Sequence, residues 1–233
     1  MIKFYYADPA EHGFGHKVRT EALADCFEQQ AEVWPGRAQR GEIIFLDCPG
    51  VNFRHAKTII SVSDCKLPHV DLELKPWELV RDEFFDNGRR TSIDFSHDSV
   101  GVFIGSGEAN KKWFAEYVMD IKAMFETVEF IWSEDNLSAG KLDQAMRRHA
   151  INIVTAGMMA YESLATGTPT VVVDPARVWD IPDVPTVLDP TGLAYVYWLC
   201  ERSVVSSYEG ISVSTTAEKL TWFLKGVESC GPQ

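Results

Sequence analysis

The chain has 233 residues, of which 45% are hydrophobic, 12% aromatic and 24% charged, a composition that excludes a disordered or fibrous protein. That length allows one substantial core or two smaller ones of roughly 100 residues each. A formal net charge of -12 disfavours long-range attraction to nucleic acid or to an anionic membrane surface. The pairs Arg89-Arg90, Lys111-Lys112 and Arg147-Arg148 are too short to form a polybasic segment. No apolar run approaches the roughly 18 to 20 residues of a spanning helix. Asp8, Glu11 and a polar turn follow the start too closely for a signal peptide, so a cytoplasmic protein is expected. The five cysteines, Cys26, Cys48, Cys65, Cys200 and Cys230, have no C-x-x-C spacing, and the six histidines lack H-E-x-x-H. Neither a disulfide framework nor a built-in metal is expected from such spacing.

Residues 2–6 read as a first strand, mostly apolar and rich in β-formers, as suits a strand covered on both faces. From His16 to about Gln30 the apolar residues Val18, Ala22, Leu23, Cys26 and Phe27 recur at helical spacing and predict a helix with one stripe for packing on a sheet. Beyond Pro35 and Gly36, residues 43–46 predict a second strand and residues 57–62 a third, the alternation of a parallel α/β unit. Residues 64–98 carry Pro68, Pro76, Gly88 and many charges without a period, and a domain boundary is placed near their end. A fresh strand over 100–104 then turns through Gly105-Ser106-Gly107 into a helix with the stripe Phe114, Tyr117, Val118, Ile121, Met124 and Phe125. Strands over 130–132, 151–154 and 170–173 and helices over 141–149 and 160–166 follow, with Gly167 where a helix C-cap belongs. A last amphipathic helix is expected after Thr215, which with Glu218 has capping-box spacing.

The junctions between strand and helix carry the candidate chemistry, because a helix opening there presents free N–H groups and a positive dipole end. In Gly13-Phe14-Gly15-His16-Lys17-Val18-Arg19, both glycines would allow positive φ and close approach to a ligand. His16 would fall at the first helical turn, where the dipole disfavours imidazolium and leaves a neutral ring able to take a proton from a hydroxyl or a water. Arg19 can meet a carboxylate or phosphate bidentately. The plainer alternative is an ordinary turn whose histidine caps a carbonyl and whose arginine pairs with Asp8 or Glu21. His12 precedes Gly13 and reads as serving the loop or solvent. In Thr155-Ala156-Gly157-Met158-Met159-Ala160-Tyr161-Glu162, the glycine opens a helix that favours an anion. Glu162 lies where a carboxylate can accept both hydroxyls of a ribose, against the alternative of a solvated surface glutamate. Met158 and Met159 read as core or pocket wall. The Gly105-Ser106-Gly107 turn can cradle phosphate through its N–H groups and the Ser106 hydroxyl, or be a plain tight turn.

Ala7-Asp8, the spacing to Gly13-Phe14-Gly15-His16-Lys17-Val18-Arg19 and the following Leu23-Ala24-Asp25 resemble the A-D…G-x-G-H-x-x-R…L-A-D opening of the PseG-type UDP-sugar hydrolases, relatives of the MurG-like glycosyltransferases with the GT-B fold. Residues 142–173, with Thr155-Ala156-Gly157, Glu162, Ala165, Gly167 and Pro169, resemble the stretch in which that superfamily holds a nucleotide-sugar donor. The resemblance covers residues 1–30 and 99–173. It implies a compact GT-B-like α/β protein: two Rossmann-like domains with parallel sheets and an interdomain cleft. Residues 1–98 would take the acceptor and the chemistry, and residues 99–233 the nucleotide sugar.

The resemblance further implies His16 as the catalytic base, with Asp8 and Arg19 of the same motif beside it, and Glu162 as the ribose-binding glutamate. Gly13, Gly15, Gly105, Ser106, Gly107, Gly157 and Met158 are carried as nucleotide-sugar-binding positions, Met158 standing where relatives hold a small or hydroxyl residue against phosphate. No metal is typical of this fold, because helix N-termini offset the charge of the departing diphosphate. No built-in cofactor is implied, and the ligand is a nucleotide sugar, UDP-linked by resemblance. The activity implied is glycosyl transfer to a hydroxyl acceptor, the alternatives being hydrolysis by water or a catalytically inactive nucleotide-binding module. A nucleic-acid acceptor is disfavoured by the acidic balance.

Overall fold

The computed structural model describes residues 1–37, 42–51, 56–90, 99–135, 137–175, 184, 186, 187, 192 and 210–229. The chain divides into two compact units, Met1–Asp82 with Ile211–Gln233, and Glu83–Gly210. Each is an α/β unit on a five-stranded sheet in which every neighbouring pair is parallel. Among the described residues no helix is long and apolar enough to cross a membrane.

The first unit holds β1 (Ile2–Tyr6), β2 (Ala31–Val33), β3 (Ile43–Asp47), β4 (Thr58–Val62) and β5 (Leu72–Leu74), in the order β2-β1-β3-β4-β5. Between β1 and β2 run α1 (Pro9–His12) and α2 (Phe14–Asp25). Strand alternation divides the apolar side chains between two faces. Phe4, Phe45, Ile60, Val62 and Leu74 pack with Leu23 and Ala24 of α2 and with Val213, Ala217 and Leu220 of the C-terminal helix Val213–Ser229. Tyr5, Ala7, Ile44, Leu46, Cys48 and Ile59 form the core on the other face. Coverage on both sides is why these strands are continuous apolar runs, and each fully buried Phe or Leu contributes about 1.5–3 kcal/mol relative to exposure. Helix α2 ends at Asp25 rather than near Gln30, since Glu28 has a left-handed φ of 54° that a helix cannot continue through.

The second unit holds α3 (Glu83–Asp86), β6 (Ser99–Ile104), α4 (Glu108–Met124), β7 (Thr127–Trp132), α5 (Ala139–Arg148), β8 (Ile151–Thr155), α6 (Met158–Thr166), β9 (Thr170–Val173) and β10 (Thr186–Val187). Its core joins Val100, Val102, Ile104, Ile151, Ile153, Val171 and Val173 of the sheet to Trp113 and Ile121 of α4. Gly167 closes α6 at φ 73°, with its N–H donated to Leu164 O, and a Cβ there would lie 2.9 Å from the Arg90 backbone, so only glycine fits. The sheet order is β10-β9-β8-β6-β7. Read from its other edge, this is the order of the first sheet: second strand, first, third, fourth, fifth. Each sheet therefore has one place where the connections leave in opposite directions, between β1 and β3 and between β6 and β8. In open parallel sheets ligands bind beyond the carboxyl ends of the strands at such a switch point.

The boundary placed by sequence near residue 98 falls on residues 91–98, outside the described residues, as do Cys200 and Cys230. By packing, the C-terminal helix joins the first sheet rather than the second.

Candidate active site

On β3 the residues at 43, 45 and 47 share the face covered by α2, so the strand's last residue, Asp47, meets the helix with its side chain fully buried. Helix α2 starts after Gly13, whose φ of 78° turns the chain into it. His16 and Arg19 are three residues apart and so share one side of the helix, continuing toward its N-terminus the stripe that buries Thr20 and Leu23. The stripe that docks α2 on the sheet thus ends in polar groups at the β1/β3 switch point. Gly15 departs from expectation. It lies inside α2, and of the two glycines only Gly13 has positive φ.

Five contacts converge on Asp47. Its Oδ1 lies 2.7 Å from His16 Nδ1, 2.6 Å from Arg19 Nη2 and 3.1 Å from Cys65 Sγ. Its Oδ2 accepts from Arg19 Nε at 2.5 Å and from Thr20 Oγ1 at 3.3 Å. The other edge of the guanidinium is taken by Asp64, with Nη1 and Nη2 each donating at 2.9 Å. Arg19 Nη2 also lies 3.1 Å from His16 Nδ1. Both of its protons are already committed to Asp47 and Asp64, so it has none for the ring. His16 Nδ1 therefore carries the proton and donates it to Asp47, and the tautomer follows from the network. The Nε2 lone pair is left to accept, on a side chain 16% exposed.

The electrostatics agree with this arrangement. Burial alone would raise the Asp47 pKa, but the charge and hydrogen bonds of Arg19, with the hydrogen bond from His16, hold the carboxyl well below the usual range. Burial works against the Arg19 charge, and Asp47 and Asp64 more than restore it. Burial, then the nearby carboxylates, push the Cys65 thiol up, so it stays protonated and donates. The donor atoms of His16, Asp47 and Cys65 lie within 4.8 Å of one another, the density of a metal site. Here the buried guanidinium already fills the cation's place on both Asp47 oxygens, and the cluster is assigned as a histidine–carboxylate–arginine network.

The remaining residues of the first motif have local roles. Asp8 is exposed and caps α1, accepting from Ala10 N–H at 2.9 Å. Arg19 is 3% exposed and reads two aspartates rather than an incoming anion. His12 stacks edge-on to His16 with ring centroids 6.1 Å apart. Sequence reasoning missed Asp47, Asp64, Thr20 and Cys65. The available signal was an aspartate closing the apolar strand Ile43–Asp47, the position from which parallel sheets present polar groups.

In the second unit the turns after β6 and β8 meet: Gly105 N–H donates to Thr155 Oγ1 at 2.7 Å. A Cβ on Gly105 would lie 2.9 Å from Asn110 Nδ2 and 3.2 Å from Thr155 Oγ1, so glycine permits the close approach. Gly107 precedes α4 with an ordinary φ of −60°, and Gly157 precedes α6 at φ 138° with open space around it. Neither helix has a side-chain cap hydrogen bond, which leaves first-turn N–H groups for another acceptor. Ser106 is half-buried. Met158 and Glu162 are 7% and 1% exposed, so the turn presents little of either side chain to solvent.

No family model, curated protein or solved structure matches the chain.

Proposed function

We propose that this protein is a cytoplasmic, GT-B-like enzyme that transfers a glycosyl group from a nucleotide sugar, UDP-linked by resemblance, to a hydroxyl acceptor. The observation that carries the reading is the contact between His16 Nδ1 and buried Asp47 at the end of the first sheet, which leaves Nε2 as a base. The bond from the sugar's anomeric carbon to the diphosphate breaks with its electron pair going to the phosphate oxygen. A new bond forms to the acceptor oxygen, whose proton passes to Nε2. Asp47 then stabilises the imidazolium. Within the second unit, the uncapped first turns of α4 and α6, after Gly107 and Gly157, support the binding of a diphosphate, whose charge their N–H groups can offset. No ribose contact is assigned to the buried Glu162. The free thiols Cys26, Cys48 and Cys65 suit a reducing compartment.

Hydrolysis is the second reading, favoured by the engagement of Arg19. With its guanidinium taken by Asp47 and Asp64, it offers no anchor to an anionic acceptor, and water or a neutral hydroxyl suits the site best. Mass spectrometry of products after incubation with a panel of nucleotide sugars, with and without hydroxyl acceptors, separates transfer from hydrolysis. Calorimetric titration with UDP separates both from an inactive binding module, which binds without turnover. His16→Ala is expected to bind UDP as the parent does and to turn over about two or more orders of magnitude more slowly. Equal turnover removes His16 from the mechanism, and failure of every nucleotide to bind overturns the nucleotide-sugar reading.

A further inference from the structure

His16 Nδ1 has two neighbours that compete for it. Asp47 Oδ1, at 2.7 Å, asks it to donate, and Arg19 Nη2, at 3.1 Å, would ask it to accept if it had a proton to give. That proton is engaged elsewhere, because Asp64 Oδ1 takes it at 2.9 Å while Asp64 Oδ2 takes one from Nη1 at the same distance. Asp64 does not donate to or accept from the ring, and its side chain is 40% exposed at the turn Ser63–Cys65 after β4.

We propose that Asp64 is a positioning residue that fixes the tautomer and proton affinity of His16 through Arg19. It does so in two ways. By holding the outer edge of the guanidinium it keeps the second Nη2 proton away from Nδ1, so the ring proton stays on the Asp47 side and the lone pair on Nε2. By sharing the one positive charge between two carboxylates it leaves the trio with a net negative charge, so Asp47 still stabilises an imidazolium rather than being neutralised by Arg19 alone. Without Asp64, Arg19 and Asp47 cancel, the freed proton turns to Nδ1 and the ring becomes a poorer base at Nε2. Among the described residues, the titratable and charged groups in contact with His16 or with its partners are Asp47 of β3, Arg19 of α2, His12 of α1 with Glu11 beyond it, and Asp64 and Cys65 after β4, with Lys17 next to it in the chain. Of these, Asp64 takes the outer edge of Arg19 and acts on the ring through it.

The effect of Asp64 on turnover rests on His16 being the base proposed above, but its effect on the ring does not, and the two can fail separately. Nitrogen-15 NMR of the histidine rings, without substrate, reads both tautomer and titration midpoint. The parent is expected to show His16 as the Nδ1–H form. In Asp64→Ala a fraction with Nε2–H should appear, and proton affinity should fall about threefold. Asp64→Glu, which can still take the outer edge, should restore both. Because Asp64 is partly exposed, its truncation leaves no buried cavity, and an unchanged amide spectrum beyond the site checks the fold. An unchanged tautomer and midpoint in Asp64→Ala overturns the proposal, as does a change that Asp64→Glu leaves in place. With a substrate in hand, the acidic limb of the pH–rate profile should move to lower pH in Asp64→Ala and return in Asp64→Glu, and an unmoved limb beside a changed ring midpoint overturns His16 as the base while the effect of Asp64 on the ring stands.

Discussion

At the carboxyl end of the first sheet the loops converge on charge: Asp47, Arg19, Asp64 and His16, tied by contacts of 2.5 to 2.9 Å. At the corresponding end of the second sheet they converge on a hydroxyl and a backbone amide, Thr155 and Gly105. The strand order is shared, so topology supplies the place in both units and the residue closing the third strand, Asp47 or Thr155, decides what chemistry sits there. A buried carboxylate demands a buried cation and builds a network inward. A threonine demands only one donor and leaves the neighbouring turns open to another acceptor.

The strongest way to break this contrast is Asp47→Ala, which leaves the buried Arg19 with only half-exposed Asp64 as partner. Removing one member of such a pair costs about 3 kcal/mol, and urea denaturation should show a loss of that order. A loss near zero would mean that the charged cluster does not organise the first unit. The matching change in the second unit, Thr155→Val, keeps the shape and removes one acceptor from a partly buried N–H, with an expected cost of about 1 kcal/mol. Hydrogen exchange at Gly105 should lose its protection in the variant, and retained protection would show that another group holds that amide.

The smallest expected effect is in pH. His149 of the second unit is 5% exposed, and burial, against the pull of Glu129, lowers its pKa. With the folded value below the unfolded value of about 6.5, the unfolded chain binds the extra proton, so stability is full above about pH 6.5 and declines as pH falls through that value. The depressed Asp47 carboxyl has the same sign but a lower window, its contribution being kept until pH falls below about 4. Melting temperatures from pH 8 to 5 should therefore decline in the parent and flatten in His149→Gln, and equal slopes would remove His149 as the cause.

Much of the fold is legible from apolar runs, since strands buried on both faces announce themselves. β1 and β9 match their expected spans, and β3, β4, β6 and β8 extend or contract by one residue. β2 and β5 are three residues each at the sheet's edges, each with a glutamate at its centre and too short to show a period. The C-terminal helix was visible as an amphipathic segment, but a stripe says that a helix packs, not on which sheet. For the site, local spacing pointed to His16 because its turn is local. Asp47 and Asp64 lie 28 and 45 residues from Arg19, and no motif records a pairing made only by the parallel register of β1, β3 and β4.

The C-terminal helix carries one more consequence. Since Val213, Ala217 and Leu220 complete the core on the α2 side of the first sheet, the second unit is an insertion into the first, and its strands emerge from the ribosome before that core can close. During synthesis Phe4, Phe45 and Ile60 wait with part of their cover missing while the inserted unit, continuous in sequence, is free to fold. The logarithmic growth of loop-closure entropy makes the long detour tolerable in the finished protein, but the nascent chain passes through a stage with an uncovered apolar sheet face, where early chaperone engagement would matter most.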